Sequence, residues 1–142
     1  SLEAATQTLM SSLKPSLVVV AAVIERDGSF LVTRRQAGVH LEGYWEFPGG
    51  KCVPHETHIE SLRREIREEL DADVEPADKL LTSAHEYDDR IIELHFYRCS
   101  LIGSPKPMLG QELRWVSKGE LSGMRFPPAD AELISRLVAC PR

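Results

Sequence analysis

Cysteine is scarce in this sequence, and so are long apolar runs and surplus positive charge. Only Cys52, Cys99 and Cys140 are present; no two of them form a CxxC pair, and their number is odd. That pattern excludes a disulfide framework, argues against a cysteine-based zinc site, and predicts reduced thiols in a cytoplasmic protein. No apolar run approaches the roughly 18 residues a membrane span needs. Leu17–Ile24 reads instead as a buried strand, and residues 1–14 lack the apolar centre of a secretion leader. Lys and Arg number 17 against 22 Asp and Glu, a net charge of -5. A chain so balanced offers no broad basic face for a nucleic acid polymer or a membrane surface. It does not exclude a small anionic substrate, because a few local cations or a metal offset a global deficit. Five histidines are present, but none has metal-ligand spacing or adjoins a Ser or Cys in a nucleophile motif.

What is there suffices for one core. With 142 residues, 42% of them hydrophobic, the chain predicts a single domain over residues 15–142 preceded by an arm, residues 1–14. Leu17–Glu25 is β-branched and almost wholly apolar, the pattern of a strand covered on both faces. Asp27-Gly28 marks a turn, and Phe30–Arg35 returns as the second half of a hairpin. Gln36–Gly43 reads as a polar loop, and Tyr44–Phe47 as a short aromatic segment broken by Pro48-Gly49-Gly50. A second hairpin is predicted from Leu80–Tyr87 and Ile91–Leu101. Gly103–Gly110 reads as a loop, and Glu112–Val116 as a short strand. Pro127-Pro128 opens a last helix with Leu133, Ile134, Leu137 and Val138 on one face. The mixture predicts an α+β fold, an α/β/α sandwich in which helices flank a twisted mixed sheet.

The clearest element is the helix from Thr57 to Leu70. Thr57 with Glu60 forms a capping box, and Ile59, Leu62, Ile66 and Leu70 build one apolar stripe. The same helix carries Arg64-Glu65-Ile66-Arg67-Glu68-Glu69. At about 100° per residue, Glu65, Glu68 and Glu69 share an arc of about 100°. Like charges so placed repel, and in the C-terminal half of a helix the dipole disfavours them further. A divalent cation removes both penalties, and magnesium or manganese takes such oxygens while keeping waters for substrate contact. A solvated charged face is the plainer account of an acidic helix. The segment upstream argues otherwise. Gly49-Gly50 lets backbone approach phosphate or metal, and Lys51 supplies a point charge suited to phosphate.

Gly50, Glu56, Arg64-Glu65-Ile66 and Glu68-Glu69 follow the spacing of the Nudix box, which the chain resembles at every position up to Glu69. The box's closing glycine is Asp71 here, a residue that tolerates the left-handed conformation better than most and so still allows the helix to end there. Tyr44–Lys51, Thr33-Arg34-Arg35, Arg114-Trp115-Val116 and Phe126-Pro127-Pro128-Ala129-Asp130 extend the resemblance to the MutT branch, over residues 17–138. The resemblance implies a magnesium-dependent pyrophosphohydrolase, manganese being an alternative, that converts a nucleoside triphosphate to monophosphate and diphosphate. It implies metal binding by Glu65, Glu68, Glu69 and the Gly49 carbonyl, with Arg64 orienting Glu65. Glu56 would support the loop or an outer metal. Glu112 matches an extra ligand or general base, and Lys51 would face the phosphates.

For the base, Leu17 and Val19 alternate on one face of the first strand and wall a pocket, unless they are simply core. Phe47 resembles the position that backs the base, and Arg35 a base-side or sugar-side cation. Asp130 stands where the enzyme for oxidised guanine carries Asn. An ionised Asp only accepts hydrogen bonds, which suits an amino edge. A relative acting on CTP and modified deoxycytidine triphosphates shares the Pro-Ala-Asp segment, so both substrates stay open: oxidised purine (8-oxo-dGTP) or pyrimidine nucleotides. His85 and His95 fall on strands that border the pocket or pack elsewhere. Two other readings stand beside this one. One is a Nudix hydrolase of another nucleoside diphosphate derivative; the other is a noncatalytic nucleotide-binding Nudix module, which would usually have lost box glutamates. A monomer or a homodimer fits equally.

Overall fold

The computed structural model describes residues 14–139; the predicted arm lies outside the described residues apart from Lys14. Seven strands form a mixed sheet: β1 (Ser16–Arg26), β2 (Ser29–Arg34), β3 (Trp45–Glu46), β4 (Gly49–Lys51), β5 (Asp73–Glu86), β6 (Ile91–Ile102) and β7 (Leu113–Ser117). The helices are α1 (His58–Leu70), α2 (Lys118–Leu121) and α3 (Ala131–Ala139), the last entered through a 3-10 turn at Pro128–Asp130.

β1 organises the sheet. It runs parallel to β6 from Ser16↔Ile91 to Ile24↔Cys99, and antiparallel to β4 through Val19↔Lys51 and Ala21↔Gly49. Its last two residues turn through Asp27-Gly28 into β2, which then pairs with β3 and β7. Neighbours on both sides explain why its sequence is apolar without alternation. Val20, Ala22 and Ile24 face one core with Leu62, Ile66 and Leu70 of α1. Ala21 and Val23 face the other, with Phe30, Val32, Trp45, Phe47, Phe96 and Leu133 of α3. Helices therefore cover both faces, as the apolar stripes predict.

Helix α1 begins at its predicted cap. The Thr57 side chain accepts from the Glu60 N–H, and Glu60 returns a bond from the Thr57 N–H at 2.8 Å. It ends at Asp71, whose φ of 49° and ψ of 44° are left-handed. Three predictions needed correction. β5 begins at Asp73, seven residues before the predicted Leu80, because its outer half carries Asp73, Glu75 and Asp78 at a bulged strand. Gly49–Lys51 is a strand, since backbone pairing with β1 outweighs the turn preference of glycine. Helix α2 was not predicted; it is one turn, held by a capping box between Ser117 and Glu120.

Candidate active site

The site lies where β4, paired with Val19–Ala21 of β1, meets the C-terminal half of α1. Two glycines allow that meeting. A Cβ on residue 49 would collide with the Val20 carbonyl of β1, and a Cβ on residue 50 would overlap the carboxyl of Glu65. Glu65 is thus seated against bare backbone, its side chain only 16% exposed. Arg64 holds it there. Its Nη1 donates to Glu65 Oε1 at 2.9 Å, its Nε donates to Glu56 at 3.0 and 2.8 Å, and its Nη2 donates to the Lys51 carbonyl at 3.2 Å. Glu56 also accepts from the Ser61 hydroxyl at 2.7 Å. One guanidinium therefore ties helix, loop and β4 together. The two partners lower the Glu56 carboxyl below its ordinary value, Arg64 more than Ser61.

Glu69 is half-buried on the same side of the helix. Burial, followed by the nearby charges of Glu46 and Glu65, pushes its carboxyl up to about 8, only partly opposed by a backbone hydrogen bond from Gly49. Burial likewise raises Glu65, against the pull of Arg64. Glu68 is 59% exposed, with Arg64 Nη1 at 3.4 Å. Glu112 pairs with Arg34 at 3.4 Å, both half exposed. The loop carrying Glu112 is anchored to the end of α1. Met108 N–H and Gln111 Nε2 both donate to the Glu69 carbonyl, at 3.0 and 3.2 Å, and Lys106 N–H donates to the Leu70 carbonyl at 2.8 Å. These bonds satisfy carbonyls that a helix end leaves unpaired.

Among the described residues, no three His, Cys, Asp or Glu side chains converge as a closed metal-ligand group. The donor set nevertheless fits a hard divalent cation. Carboxylates are its preferred oxygens, Glu65 and Glu69 are both raised, by burial first and by neighbouring carboxylates after it, and Gly50 clears the space in which one sits. The Gly49 carbonyl belongs to the strand beside them.

A cavity of about 550 Å³ runs from Glu69, Gly49, Gly50 and Lys51 to Asp130. Leu17, Val19, Arg35, Phe47, Lys51 and Asp130, all predicted for substrate, line it together. Phe47 is buried, edge-on to Phe96 and stacked on Phe126 at 5.4 Å between centroids. Arg35 pairs with Glu46 at 3.1 and 3.3 Å. Glu65, Glu68, Arg64 and Glu112 are not among the residues that line it. His85 and His95 do not line it either. His95 faces the α1 side, bonded to Glu93 at 2.7 Å and near the His58 ring.

Sequence reasoning missed Glu46, His40, Tyr87 and Arg90, which also line the cavity. The signal for Glu46 was available: it is the one charge between the buried Trp45 and Phe47, and its cross-strand neighbourhood holds Arg35. For His40 and Tyr87 no local signal existed, because loops distant in sequence bring their rings together at 5.8 Å.

The NUDIX domain family matches residues 19–136. The chain belongs to that family. This Nudix hydrolase is 37% identical over 122 residues to the CTP pyrophosphohydrolase of Escherichia coli strain K12, covering 85% of this chain and 90% of the relative. It is 36% identical over 127 residues to the 8-oxo-dGTP diphosphatase of Haemophilus influenzae, covering 88% and 93%. Among solved structures, the E. coli ORF135 protein superposes with a TM-score of 0.80 at 35% identity, covering 90% of this chain and 92% of the other. The MutT protein of Methanosarcina mazei does so with 0.79 at 27%, covering 88% and 94%. The α+β fold, with helices on both sides of a seven-stranded sheet, is that of these Nudix relatives.

Proposed function

We propose that this Nudix hydrolase is a divalent-metal-dependent nucleoside triphosphate pyrophosphohydrolase, releasing nucleoside monophosphate and diphosphate. The observation that carries the reading is the single cavity joining a carboxylate end, Glu69 beside Gly49 and Gly50, to an apolar end closed by Phe47 and Asp130. A nucleotide has the same polarity, charged at one end and flat and apolar at the other. The relatives named for CTP and for 8-oxo-dGTP support the substrate class.

Glu65, Glu68 and Glu69 would hold the metal, magnesium or manganese, with the Gly49 carbonyl and Glu112 completing its oxygen set. When bound, the metal neutralises phosphate charge and lowers the pKa of a water. Arg64, fixed by Glu56, holds Glu65 in place, a supporting role on which such sites depend. Lys51 attracts the phosphate chain as a point charge. In the chemical step, water adds to the β-phosphorus and the bond from that phosphorus to the α–β bridging oxygen breaks. The water's proton passes to a carboxylate of the set, Glu112 or a helix glutamate. The monophosphate keeps the bridging oxygen. Leu17, Val19 and Phe47 wall the base, and Arg35 faces its sugar side. Hydrolysis of damaged or misplaced triphosphates before polymerisation would make the protein a sanitiser of the nucleotide pool in the service of DNA repair.

The test is product analysis. A panel of triphosphates is incubated with the protein and magnesium, with and without a chelator. Metal-dependent release of diphosphate is expected. Orthophosphate as the sole phosphorus product, or release only from sugar nucleotides or dinucleotides, would reject the reading; no turnover of any of them would favour the binding module.

A further inference from the structure

Helix α1 ends at Leu70, so the carbonyl of Glu69 has no partner within the helix. It is bonded from outside instead. Met108 N–H donates to it at 3.0 Å and Gln111 Nε2 at 3.2 Å. The Glu69 carboxyl accepts a backbone hydrogen bond from Gly49 of β4. The residue is therefore held at both ends, its side chain by a strand and its backbone by the loop before β7.

Gln111 is a polar side chain in a buried place. It is only 8% exposed, and it lines the same cavity as Glu69. Burying a carboxamide costs free energy unless its polar ends are bonded. Both ends are. Oε1 accepts from Leu109 N–H at 2.9 Å while Nε2 donates to the Glu69 carbonyl. One partner can only donate and the other can only accept, which fixes the orientation of the amide. Gly110 permits the fold-back. Its φ of 74° and its N–H bond to the Pro107 carbonyl, at 3.0 Å, turn the chain between Leu109 and Gln111. The loop is anchored on either side of that turn. Gln36 Nε2 donates to the Leu109 carbonyl at 2.8 Å, and Arg34 N–H donates to the Glu112 carbonyl at 3.0 Å.

We propose that Gln111 is a positioning residue of this hydrolase, whose carboxamide fixes the last turn of α1 and thereby the point from which the Glu69 carboxyl reaches a bound cation. The inference rests on the metal-holding role of Glu69 proposed above.

The last turn of a helix frays when its free carbonyls lack partners. Groups that act on a bound ion must be held within about 0.5 Å of their working place. A leucine or methionine would fill the volume of Gln111 equally well, so packing alone does not call for an amide. The amide instead joins two backbone groups, one of them belonging to Glu69. The loop does not depend on Gln111 for its attachment. Met108 N–H still reaches the Glu69 carbonyl without it, and Lys106 N–H still donates to the Leu70 carbonyl at 2.8 Å. Loss of Gln111 should loosen Glu69 while the loop stays docked.

The test uses the full chain without nucleotide and manganese ion as the probe, the free ion being followed by electron paramagnetic resonance. In Gln111→Met the dissociation constant for manganese should rise roughly tenfold, the lower end of what partners that orient metal ligands contribute. In the Glu69→Gln background the same substitution should change it less than twofold, because the residue through which Gln111 acts is already gone. A merely structural defect would reduce the number of binding sites and leave the dissociation constant alone. Thermal unfolding without metal checks the fold. Gln111→Asn, one methylene shorter and unable to span both partners, should shift the constant in the same direction and decides the matter should Gln111→Met not fold. A constant within twofold of wild type in Gln111→Met, or an equal loss with and without Glu69, overturns the proposal. Diphosphate release is measured in parallel, and its turnover should fall about tenfold in Gln111→Met with KM little changed. Release intact in wild type with an unaltered constant in Gln111→Met overturns this inference alone. No release from any triphosphate overturns the pyrophosphohydrolase reading, and the manganese titrations still decide whether Gln111 acts through Glu69.

Discussion

The carboxyl of Glu65 occupies the place where a side chain on residue 50 would begin. Glycine at 50 is needed for the space it leaves, since its φ is not among the positive values of the chain. Gly50→Ala should therefore push the Glu65 carboxyl away from β4 and from Arg64. The moved group is the end of a flexible side chain, so stability should fall by only about 1 kcal/mol. Turnover should fall about a hundredfold, because small displacements of a metal-holding group are expensive in catalysis. Thermal unfolding and steady-state diphosphate release, measured on the same sample, check both halves.

Arg64 and Glu56 should behave as one unit. Their paired bonds at 3.0 and 2.8 Å fix the guanidinium that fixes Glu65. Arg64→Lys loses the fork geometry, and Glu56→Gln loses the charge opposite it. Each should reduce turnover about tenfold or more. The double variant should cost little beyond the worse single, as expected for residues acting through one contact. A double-mutant cycle on diphosphate release measures this, and additive losses would show two separate roles.

Asp71 adopts the left-handed conformation that glycine takes without strain. Its ion pair with Lys106, at 3.7 Å, is exposed and contributes little. Asp71→Gly should stabilise the fold by roughly 0.5 kcal/mol, the relief at the cap exceeding the greater freedom of glycine in the unfolded chain. A denaturant titration would show a higher midpoint at unchanged slope.

The helix was legible because its signals are local. The capping box of Thr57 and Glu60, the stripe from Ile59 to Leu70 and the acids on the adjoining arc depend on residues within four positions of one another, and all appear where the spacing puts them. β1 and its turn were legible for the same reason. What was not legible depends on distance in the chain. β4 is a strand only because β1 lies beside it, and Gly49-Gly50 by itself reads as a turn. Asp130 reads in sequence as an ionised acceptor at the base-recognition position. Its burial and its nearness to Glu46, more than eighty positions away in the chain, raise its carboxyl to about 7.

That raised carboxyl also bears on stability. The folded value of about 7 lies above the 3.8 of an unperturbed Asp, so the folded state holds the proton more tightly than the unfolded chain. The stabilising contribution is complete below about pH 3.8 and is lost as pH rises to about 7. Its ceiling is about 4 kcal/mol, from about 1.36 kcal/mol for each pH unit. Asp130→Asn removes this dependence. Relative to wild type, it should gain stability between pH 5 and pH 8, as denaturant midpoints at the two pH values would show.

On the proposed function, carboxylates at the end of α1, Glu69 above all, hold the cation on which diphosphate release depends. The most direct measurement is the turnover of Glu69→Gln against wild type at saturating magnesium, with CTP and 8-oxo-dGTP as substrates. Turnover should fall on both by about a thousandfold, about 4 kcal/mol in the barrier, while the fold is retained. Turnover on either substrate within a few-fold of wild type would contradict it.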